Sequence, residues 1–387
     1  MTGATAATAE FEEYVSAARM RDINSGLRFL DIYCTRVICR LFATLGLYQK
    51  PGEALSVEQA IAAGGLHAPA TAVPLAFMCM WLASRGFLQK TECDGVLSYT
   101  PERALPVPDL DELDRHPIAQ RCWAACRLIR RVVDVSPPIF RGEGSDLQLY
   151  APETISDWEG YFAHPAMQVP ALFNALYIYR ELQRFDRPVR IMELGAGSAV
   201  ASRILYEFLR AKGELHRVEA FHITDLAEPF VDSSRKAVEA AFGPRPEFTF
   251  YKFDMNGELA DQGLEPGTMD IIFGMNSMHY MSDWRTQFPI LRDLLRPGGF
   301  LSIVGVLRKQ VELPIHIELA GAPFAAYWDL ATIPDIRPGF GIMPPQETAI
   351  GLARYGFDET EIWPNPEIWA KEIPMDFFYG VVVGKRG

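Results

Sequence analysis

The stretch Arg190–Leu205, RIMELGAGSAVASRIL, decides how the second part of the chain folds. An apolar run ends in an acid, two glycines follow one residue apart, and small residues then begin an amphipathic pattern. This order predicts a strand, a tight loop and a helix. Loops of this kind hold nucleotides in many enzymes, so we expect a nucleotide-like ligand here.

Strand and helix patterns alternate from Val189 to the end of the chain. Gly213 and Gly243 end two of the helical patterns, and a Pro-Gly-Gly sequence ends a third. This alternation predicts an α/β fold of the Rossmann-like kind, with a doubly wound parallel sheet. Ligands of such sheets bind at the carboxyl ends of the strands, where the glycine loop lies.

The residues around the glycine loop argue against a ligand with phosphate groups. The NAD fingerprint has a third glycine where this chain has Val200, and the Gly-Lys-Ser/Thr of phosphate-binding loops is absent. Acids instead end three strands: Glu193, Asp225 and Asp254, the last followed by Met255. A carboxylate repels a pyrophosphate but attracts a positive charge, and it accepts hydrogen bonds from ribose and adenine. The set predicts a cofactor that combines ribose, adenine and positive charge.

The motifs MELGAGSA, HITDL, FDMN and LRDLLRPGG, in this order and spacing, resemble those of the class I S-adenosylmethionine-dependent methyltransferases. The resemblance implies S-adenosyl-L-methionine as the cofactor. It also implies a cofactor site formed by Glu193, Gly195, Gly197, Asp225, Leu226, Asp254, Met255 and Asn276. One departure is Ala199, because the family usually has a glycine at that position.

Two subfamilies of these methyltransferases resemble different parts of the chain. The whole chain, with its helical front and the later MPPQETAIGLARYGFDETEI, resembles the dimeric small-molecule O-methyltransferases. The part from about Arg190 to Val306 is similar to the C-methyltransferase domains of polyketide synthases, through HITDLAEPFV, DMNGELADQGLEPGTMDII and NSMHYMSDW. Both groups use a catalytic histidine after the fourth strand, and His279 falls on that position.

His279 is therefore the predicted general base. A base of near-neutral pKa in a strand-end loop can take the proton of a hydroxyl or of an acidic carbon. O-methyltransferases commonly have Asp after this histidine, where the chain has Tyr280, and the polyketide C-methyltransferases have Glu at the position of Gly305. The carboxylates that could orient the imidazole instead are Asp283, Glu312 and Glu318.

Residues on either side of the glycine-loop region suggest a flat or largely apolar acceptor. The predicted substrate pocket contains Phe162, His164, Met167, Phe324, Tyr327 and Trp328, with Phe173 as a further aromatic candidate and His316 in reserve. Aromatic residues at helical spacing can equally pack in the core.

The front of the chain, residues 1–150, predicts a mainly helical, winged-helix-like domain ahead of a methyltransferase domain of residues 151–387. Three helical patterns are followed by a hairpin around Asp94-Gly95, which is the order of a winged helix. DNA readout needs a polar recognition helix, whereas the third helix carries Ala, Leu, Phe, Met, Trp and the single Arg85. We therefore expect this part to support a homodimer.

Composition limits the partners and the location. A formal net charge of −12 argues against nucleic acid, and no apolar run is long enough for a membrane span. All six cysteines lie in the first third without zinc-site spacing, so we expect reduced thiols and no metal site. The N-terminal residues lack the pattern of a secretory signal, so we expect a cytoplasmic protein.

These observations predict a methyltransferase that acts on the hydroxyl of a small molecule, of the kind made in secondary metabolism. The first alternative is C-methylation of an activated carbon in a polyketide-like or keto-acid substrate. The second alternative is a non-catalytic regulator that uses its winged-helix front.

Overall fold

The N-terminal part of the protein is mainly helical, as predicted. A computed structural model describes residues 17–324, 330–339, 341–367 and 377–387. The front comprises α1 (Ala17–Leu45), β1 (Leu55–Ser56), α2 (Val57–Gly64), α3 (Ala68–Ser84), β2 (Gln89–Cys93), β3 (Val96–Thr100), α4 (Leu110–Asp114), α5 (Pro117–Arg121) and α6 (Trp123–Phe140). Strands β1, β3 and β2 form a small antiparallel sheet in that order.

In this part α2 has an N-terminal cap, and the predicted hairpin is present. Ser56 caps α2, since its hydroxyl accepts a hydrogen bond from the backbone N–H of Gln59 at 3.2 Å. The hairpin turns at Asp94 and Gly95, both with positive φ. The order of helices and hairpin is the expected one, and the winged-helix assignment itself stays a prediction.

The segment ahead of the glycine loop forms two helices. They are α7 (Pro152–Phe162) and α8 (Pro165–Leu182). The break follows from Pro165, because proline disfavours helical geometry in the residue before it. The break turns α7 across the end of the sheet, where two of its aromatic residues reach the cleft described below.

The remaining elements build the seven-stranded sheet. They are β4 (Val189–Leu194), α9 (Val200–Ala211), β5 (Val218–Asp225), α10 (Glu228–Phe242), β6 (Phe248–Lys252), β7 (Met269–Met275), α11 (Trp284–Leu294), β8 (Leu295–Arg308), α12 (His316–Gly321), α13 (Pro345–Arg354), β9 (Glu359–Trp363) and β10 (Phe377–Lys385). The strand order is β6-β5-β4-β7-β8-β10-β9.

The sheet corrects the prediction of an all-parallel arrangement. Strands β4 to β8 pair in parallel, whereas β10 runs antiparallel to both β8 and β9. The sequence analysis predicted β10 as a strand but missed β9, which has only five residues and is partly exposed. The Rossmann-like α/β class is otherwise confirmed, with β4 near the middle and its carboxyl end at the glycine loop.

Two buried apolar clusters lie on the two faces of the sheet. One joins the sheet to α8 and α9. The other is continuous from the front helices, with Tyr33 and Trp81, to the sheet residues Leu301 and Tyr379. The apolar core therefore crosses residue 150, and the division into residues 1–150 and 151–387 stays a prediction.

Within the described ranges, no helix is both long and apolar enough to cross a lipid bilayer.

Candidate active site

The glycine loop connects β4 to α9 with two residues in the left-handed region. Gly195 has φ of 64° and Gly197 has φ of 57°. A Cβ on Gly195 would lie 2.6 Å from that of Ser277, whose hydroxyl donates a 2.6 Å hydrogen bond to the carbonyl oxygen of Leu194. Close contact and positive φ together require glycine here. The loop therefore leaves bare backbone at the strand ends for a ligand.

Asp225 ends β5 and faces this backbone. Its Oδ2 accepts a hydrogen bond from the N–H of Gly197 at 3.0 Å, and its Oδ1 accepts one from Ala227 at 3.1 Å. Burial raises the pKa of this carboxyl, although the backbone hydrogen bonds oppose the rise. Each oxygen keeps a lone pair for a ligand hydroxyl. The neighbouring Leu226 is 50% exposed and also lines the cleft.

Asp254 and Met255 lie beyond the end of β6, as predicted, and both line the same cleft. The loop is fixed by Gln262, whose side chain exchanges two hydrogen bonds with the backbone of Asp254, at 2.7 and 2.9 Å. One oxygen of Asp254 accepts from the N–H of Asn256 at 2.9 Å, and the carboxylate is half-buried. Its free lone pairs and the Met255 side chain are suited to a nucleoside base.

Glu193 does not lie with the other predicted cofactor residues, which corrects its assignment to the lining of the cleft. Its side chain is 1% exposed and accepts a hydrogen bond from the N–H of Ser202, in the first turn of α9, at 3.2 Å. Burial raises the pKa of this carboxyl to about 8. Glu193 therefore holds the start of the helix behind the glycine loop.

The backbone conformation of Ala199 explains why the methyltransferase family usually has a glycine at this position. It is fully buried, precedes α9 and has φ of 54° and ψ of 36°. This left-handed conformation costs an alanine about 1–2 kcal/mol. The added methyl is tolerated sterically, and its cost lies in the backbone.

These strand ends open into one cleft of about 1060 Å³ of atom-free space, part of it open to solvent. α7, α10 and the α12 region supply its apolar wall. The residues that line the cleft are Trp158, Phe162, Gly195, Gly197, Asp225, Leu226, Ala227, Phe230, Asp254, Met255, Asn256, Met275, Asn276, Ser277, His279, Tyr280, Ile317 and Phe324. The structure thus brings together every predicted cofactor residue except Glu193.

Asn276 follows β7 with φ of 52° and projects between the cleft and a smaller cavity behind it. Its Oδ1 accepts a hydrogen bond from the N–H of Val306 at 3.1 Å. Its Nδ2 is buried and has no hydrogen-bond partner in the part of the chain that the structure describes. A buried amide without a partner is costly, which indicates a ligand acceptor at this point.

The cleft therefore fits S-adenosylmethionine. Asp225 can accept from the ribose hydroxyls, and Asp254 with Met255 can hold the adenine. Asn276 offers its amide to the methionine part, as the resemblance implies. Among the described residues, no cluster of histidine, cysteine, aspartate and glutamate could hold a metal ion.

His279 lies in a short turn after β7, half-buried, and lines the cleft beside Asn276. We expected a near-neutral pKa for a general base, and the pKa of His279 differs from that expectation. Burial, together with the guanidinium groups of Arg337 and Arg308, lowers it to about 3. The imidazole is therefore uncharged at neutral pH and has a lone pair to accept a proton.

Two of the three carboxylates predicted as partners of this imidazole bind other groups, and the third is exposed. Asp283 caps α11 and pairs with Arg285 at 2.8 Å. Glu318 is fully buried and binds Arg308 at 2.7 Å. Glu312 is exposed.

The space expected for a dyad glutamate is also filled. A Cβ on Gly305 would overlap Oδ1 of Asn276 and lie 3.3 Å from its Cγ. The Asn276 amide thus occupies the volume that a side chain at residue 305 would need.

The predicted substrate residues divide into three groups. Phe162 and Phe324 line the cleft. Met167 and Phe173 are buried in the core, and His164 is half-buried outside the lining. Tyr327 and Trp328 lie outside the described residues.

The reserve candidate His316 is buried outside the lining of the cleft and shares a 3.0 Å hydrogen bond with the hydroxyl of Tyr161. Burial lowers the pKa of His316 to about 3.

Several residues at this site were not predicted from the sequence, among them Trp158, Asn256 and Arg337. Trp158 lies one helical turn before Phe162, a spacing that could have indicated a shared face. Asn256 ends the quoted motif FDMN and contacts the histidine turn. Arg337 binds the backbone of His279 from far along the chain, and nothing local signals this contact.

Comparisons of sequence gave no matching family model. The hybrid PKS-NRPS synthetase thnA of Trichoderma harzianum is 26% identical over 296 residues, which is 72% of this chain and 7% of that protein. Pyochelin synthetase PchF of Pseudomonas aeruginosa is 31% identical over 161 residues, 42% of this chain and 8% of that protein. The matches span less than a tenth of the length of these curated relatives.

Three solved structures share the fold over nearly the whole chain. The CurJ carbon methyltransferase has a TM-score of 0.80 at 18% identity, covering 99% of this chain and 97% of that one. The DszA carbon methyltransferase has a TM-score of 0.73 at 16% identity, covering 96% and 93%. The CMeT domain of the citrinin polyketide synthase has a TM-score of 0.69 at 17% identity, covering 100% and 98%.

These comparisons support the prediction of a methyltransferase enzyme with S-adenosylmethionine as its cofactor. The chain has the fold of these methyltransferases, and its resemblance to the class I S-adenosylmethionine-dependent methyltransferases is confirmed.

Proposed function

We propose that the protein is an S-adenosylmethionine-dependent C-methyltransferase that methylates an activated carbon, next to a carbonyl group, in a polyketide-like acceptor. The observation that carries this proposal is the similarity of nearly the whole chain, front included, to three carbon methyltransferases. The sequence matches to polyketide synthases support it further. C-methylation thereby replaces the O-methylation that the sequence favoured.

The glycine loop and the strand ends bind the cofactor in this proposal. When bound, S-adenosylmethionine supplies a methyl group whose bond to sulfur breaks as the bond to the acceptor carbon forms. Asp225, Asp254 and Met255 orient the nucleoside, and the exposed glycine backbone lets it approach closely. Fixed alignment of the methyl group with the acceptor carbon is the main source of rate in such a displacement.

His279 accepts the proton that the acceptor carbon loses. The electron pair of that C–H bond forms the new C–C bond, and the proton passes from the imidazole to solvent. The uncharged state of His279 is the one that can accept a proton, and the low pKa keeps it in that state. A low pKa also makes the imidazole a weak base, so the proposal requires an acceptor carbon that is already acidic, such as one between two carbonyl groups.

The aromatic wall favours such an acceptor. Trp158, Phe162 and Phe324 line the cleft opposite the strand ends and reduce its exposure to water. Apolar walls with a few convergent polar groups are typical of small-molecule sites. An acyl chain can lie against this wall while its acidic carbon faces His279.

A direct test supplies purified protein with S-adenosylmethionine and two acceptors, an acetoacetyl thioester of N-acetylcysteamine and a simple phenol. We expect the thioester to gain one methyl group at the carbon between its carbonyls, identified by mass spectrometry and NMR. Replacement His279→Gln should lower kcat about 10²- to 10⁴-fold. Methylation of the phenol alone would contradict C-methylation and favour the O-methyltransferase alternative.

Three further expectations from the sequence remain proposals. They are a homodimer, a location in the cytoplasm and the absence of a nucleic-acid partner. The regulator alternative is weakened by α3, because Leu75, Phe77 and Trp81 of the expected recognition helix are buried in the protein. Sedimentation of the purified protein and a salt series with duplex DNA would test the dimer and the DNA expectation.

A further inference from the structure

The turn that carries His279 is held by a buried arginine from a distant part of the chain. Nη2 of Arg337 donates a hydrogen bond to the carbonyl oxygen of His279 at 3.1 Å, and Nη1 donates to that of Met281 at 2.7 Å. A longer contact of 3.5 Å joins Nη1 to the carbonyl oxygen of Ser282. Arg337 is fully buried, so its planar guanidinium fixes three successive parts of this turn.

The segment that presents Arg337 is itself rigid. Residues Ile333 and Arg337 exchange backbone hydrogen bonds of 2.7 and 2.8 Å, which close a small turn. The N–H of Ala331 donates to the carbonyl oxygen of Ser282 at 2.7 Å. The guanidinium also lies 5.1 Å from the ring centre of Trp284, the first residue of α11. The guanidinium is therefore fixed relative to the histidine turn rather than free to follow it.

The opposite side of the histidine turn is tied to the predicted adenine loop. The N–H of Ser282 donates to Oδ1 of Asn256 at 2.7 Å, and Nδ2 of Asn256 donates to the carbonyl oxygen of Tyr280 at 3.3 Å. Asn256 follows Met255 directly, so one clamp comes from the cofactor side. Arg337 supplies the clamp on the other side.

We propose that Arg337 is a positioning residue for His279: its guanidinium fixes the backbone of the histidine turn so that the imidazole faces the acceptor, and it places a positive charge beside that turn. This inference rests on the proposed function of His279 as proton acceptor. Misplacing a reacting group by about 1 Å can cost about 100-fold in rate, so the backbone bonds matter for turnover.

The charges that face His279 come from several elements. Arg337 lies on the turn after α12, and Arg308 ends β8 and is paired with Glu318. Asp283, further along the histidine turn, pairs with Arg285. Both arginines and burial act in the same direction on the imidazole, lowering its pKa. Since Arg308 is neutralised by its ion pair, Arg337 is the charge whose removal should raise the pKa of His279 most.

Two variants separate the bonds from the charge. Arg337→Lys keeps a positive charge but cannot reproduce the planar fork that reaches several carbonyls. Arg337→Gln removes the charge and keeps one short amide donor. The matched control is Arg354→Gln, because Arg354 is exposed and pairs with Asp335 in the same turn without contacting the histidine turn.

The measurements are kcat and KM with the acetoacetyl thioester, an NMR titration of the His279 imidazole, and thermal unfolding. We expect Arg337→Lys to lower kcat at least about tenfold with little change in KM, and to leave the His279 pKa low. We expect Arg337→Gln to raise the His279 pKa toward its ordinary value of about 6.5, which moves the acid limb of the kcat profile to higher pH. Arg354→Gln should match the wild type in kcat and in the pKa of His279.

Two outcomes would overturn the inference. One is a kcat of both Arg337 variants equal to that of the Arg354→Gln control. The other is an unchanged titration of His279 in Arg337→Gln. Because the NMR titration needs no turnover, it decides the role of the charge even if the acceptor proves wrong and the proposed function fails. Because the lysine variant keeps the charge, it tests the backbone bonds even if the glutamine variant does not fold.

Discussion

Replacing Gly305 by alanine places a methyl group where the side chain of Asn276 now lies. The built Cβ overlaps Oδ1 of Asn276 and lies 3.3 Å from its Cγ, so the amide has to move. Asn276 then loses its hydrogen bond to the N–H of Val306. The same conflict explains why a dyad glutamate cannot stand at this position while Asn276 keeps its conformation.

The size of the effect follows from two contributions. Forcing extra volume into a packed site costs about 1–3 kcal/mol. Leaving the buried N–H of Val306 without its partner costs about 1–3 kcal/mol more. We therefore expect Gly305→Ala to lower the free energy of unfolding by at least about 2 kcal/mol. Adding Asn276→Gly removes the overlap, so the double variant should be less destabilised than the sum of the single variants by about 1–3 kcal/mol.

Urea unfolding followed by tryptophan fluorescence measures these differences, since the chain has seven tryptophans. Gly339→Ala is the matched control, because a Cβ there meets none of the described residues within 4 Å and its φ is not in the left-handed region. We expect that control to change stability little. The reasoning would be refuted if Gly305→Ala destabilised no more than Gly339→Ala, or if the two substitutions at residues 276 and 305 were simply additive.

Three further predictions concern the glycine loop and its surroundings. Gly195→Ala should abolish binding of S-adenosylhomocysteine in calorimetry, because its Cβ would lie 2.6 Å from that of Ser277. Retained affinity would contradict the role of the glycine loop in binding the cofactor. Ala199→Gly should raise the free energy of unfolding by about 1 kcal/mol in urea titrations, because glycine relieves the left-handed strain; a loss of stability would refute this. Glu193 has a folded-state pKa of about 8, above its usual value, so wild-type stability should fall as pH rises from about 4.5 to 8. Glu193→Gln cannot ionise and should flatten that fall, and an equal slope in both proteins would exclude the buried carboxyl as its cause.

The sequence predicted the fold and the cofactor side of the site because their signals are local. The Gly-x-Gly of residues 195–197 and the acids at the strand ends lie in the strand-to-loop transitions that the structure shows. Parallel strands then bring those ends to one edge of the sheet, so the convergence of Asp225 and Asp254 followed from the order of elements alone. The same reasoning failed for Glu193, because its position before the loop does not say which way its side chain turns.

The catalytic side of the site could not be predicted in the same way. Its properties depend on contacts between residues that are distant in sequence. Arg337 binds the backbone carbonyl of His279 from 58 positions away, and after burial its charge is the next cause that lowers the pKa of the imidazole. The sequence shows that the glutamate is missing at Gly305, which weighs against C-methylation, but it does not show that the side chain of Asn276 fills that space.

The apolar cluster that runs from Tyr33 and Trp81 into the sheet has a consequence for protein engineering. The front helices and the sheet share this apolar cluster. If only the glycine-loop half were moved into another polypeptide, its apolar face would therefore be exposed. Transfer of the glycine-loop half into another polypeptide therefore has to move the front helices and the sheet as one unit. The smallest segment that can be transferred is therefore determined by the helices that cover the sheet and not by the extent of the cofactor site.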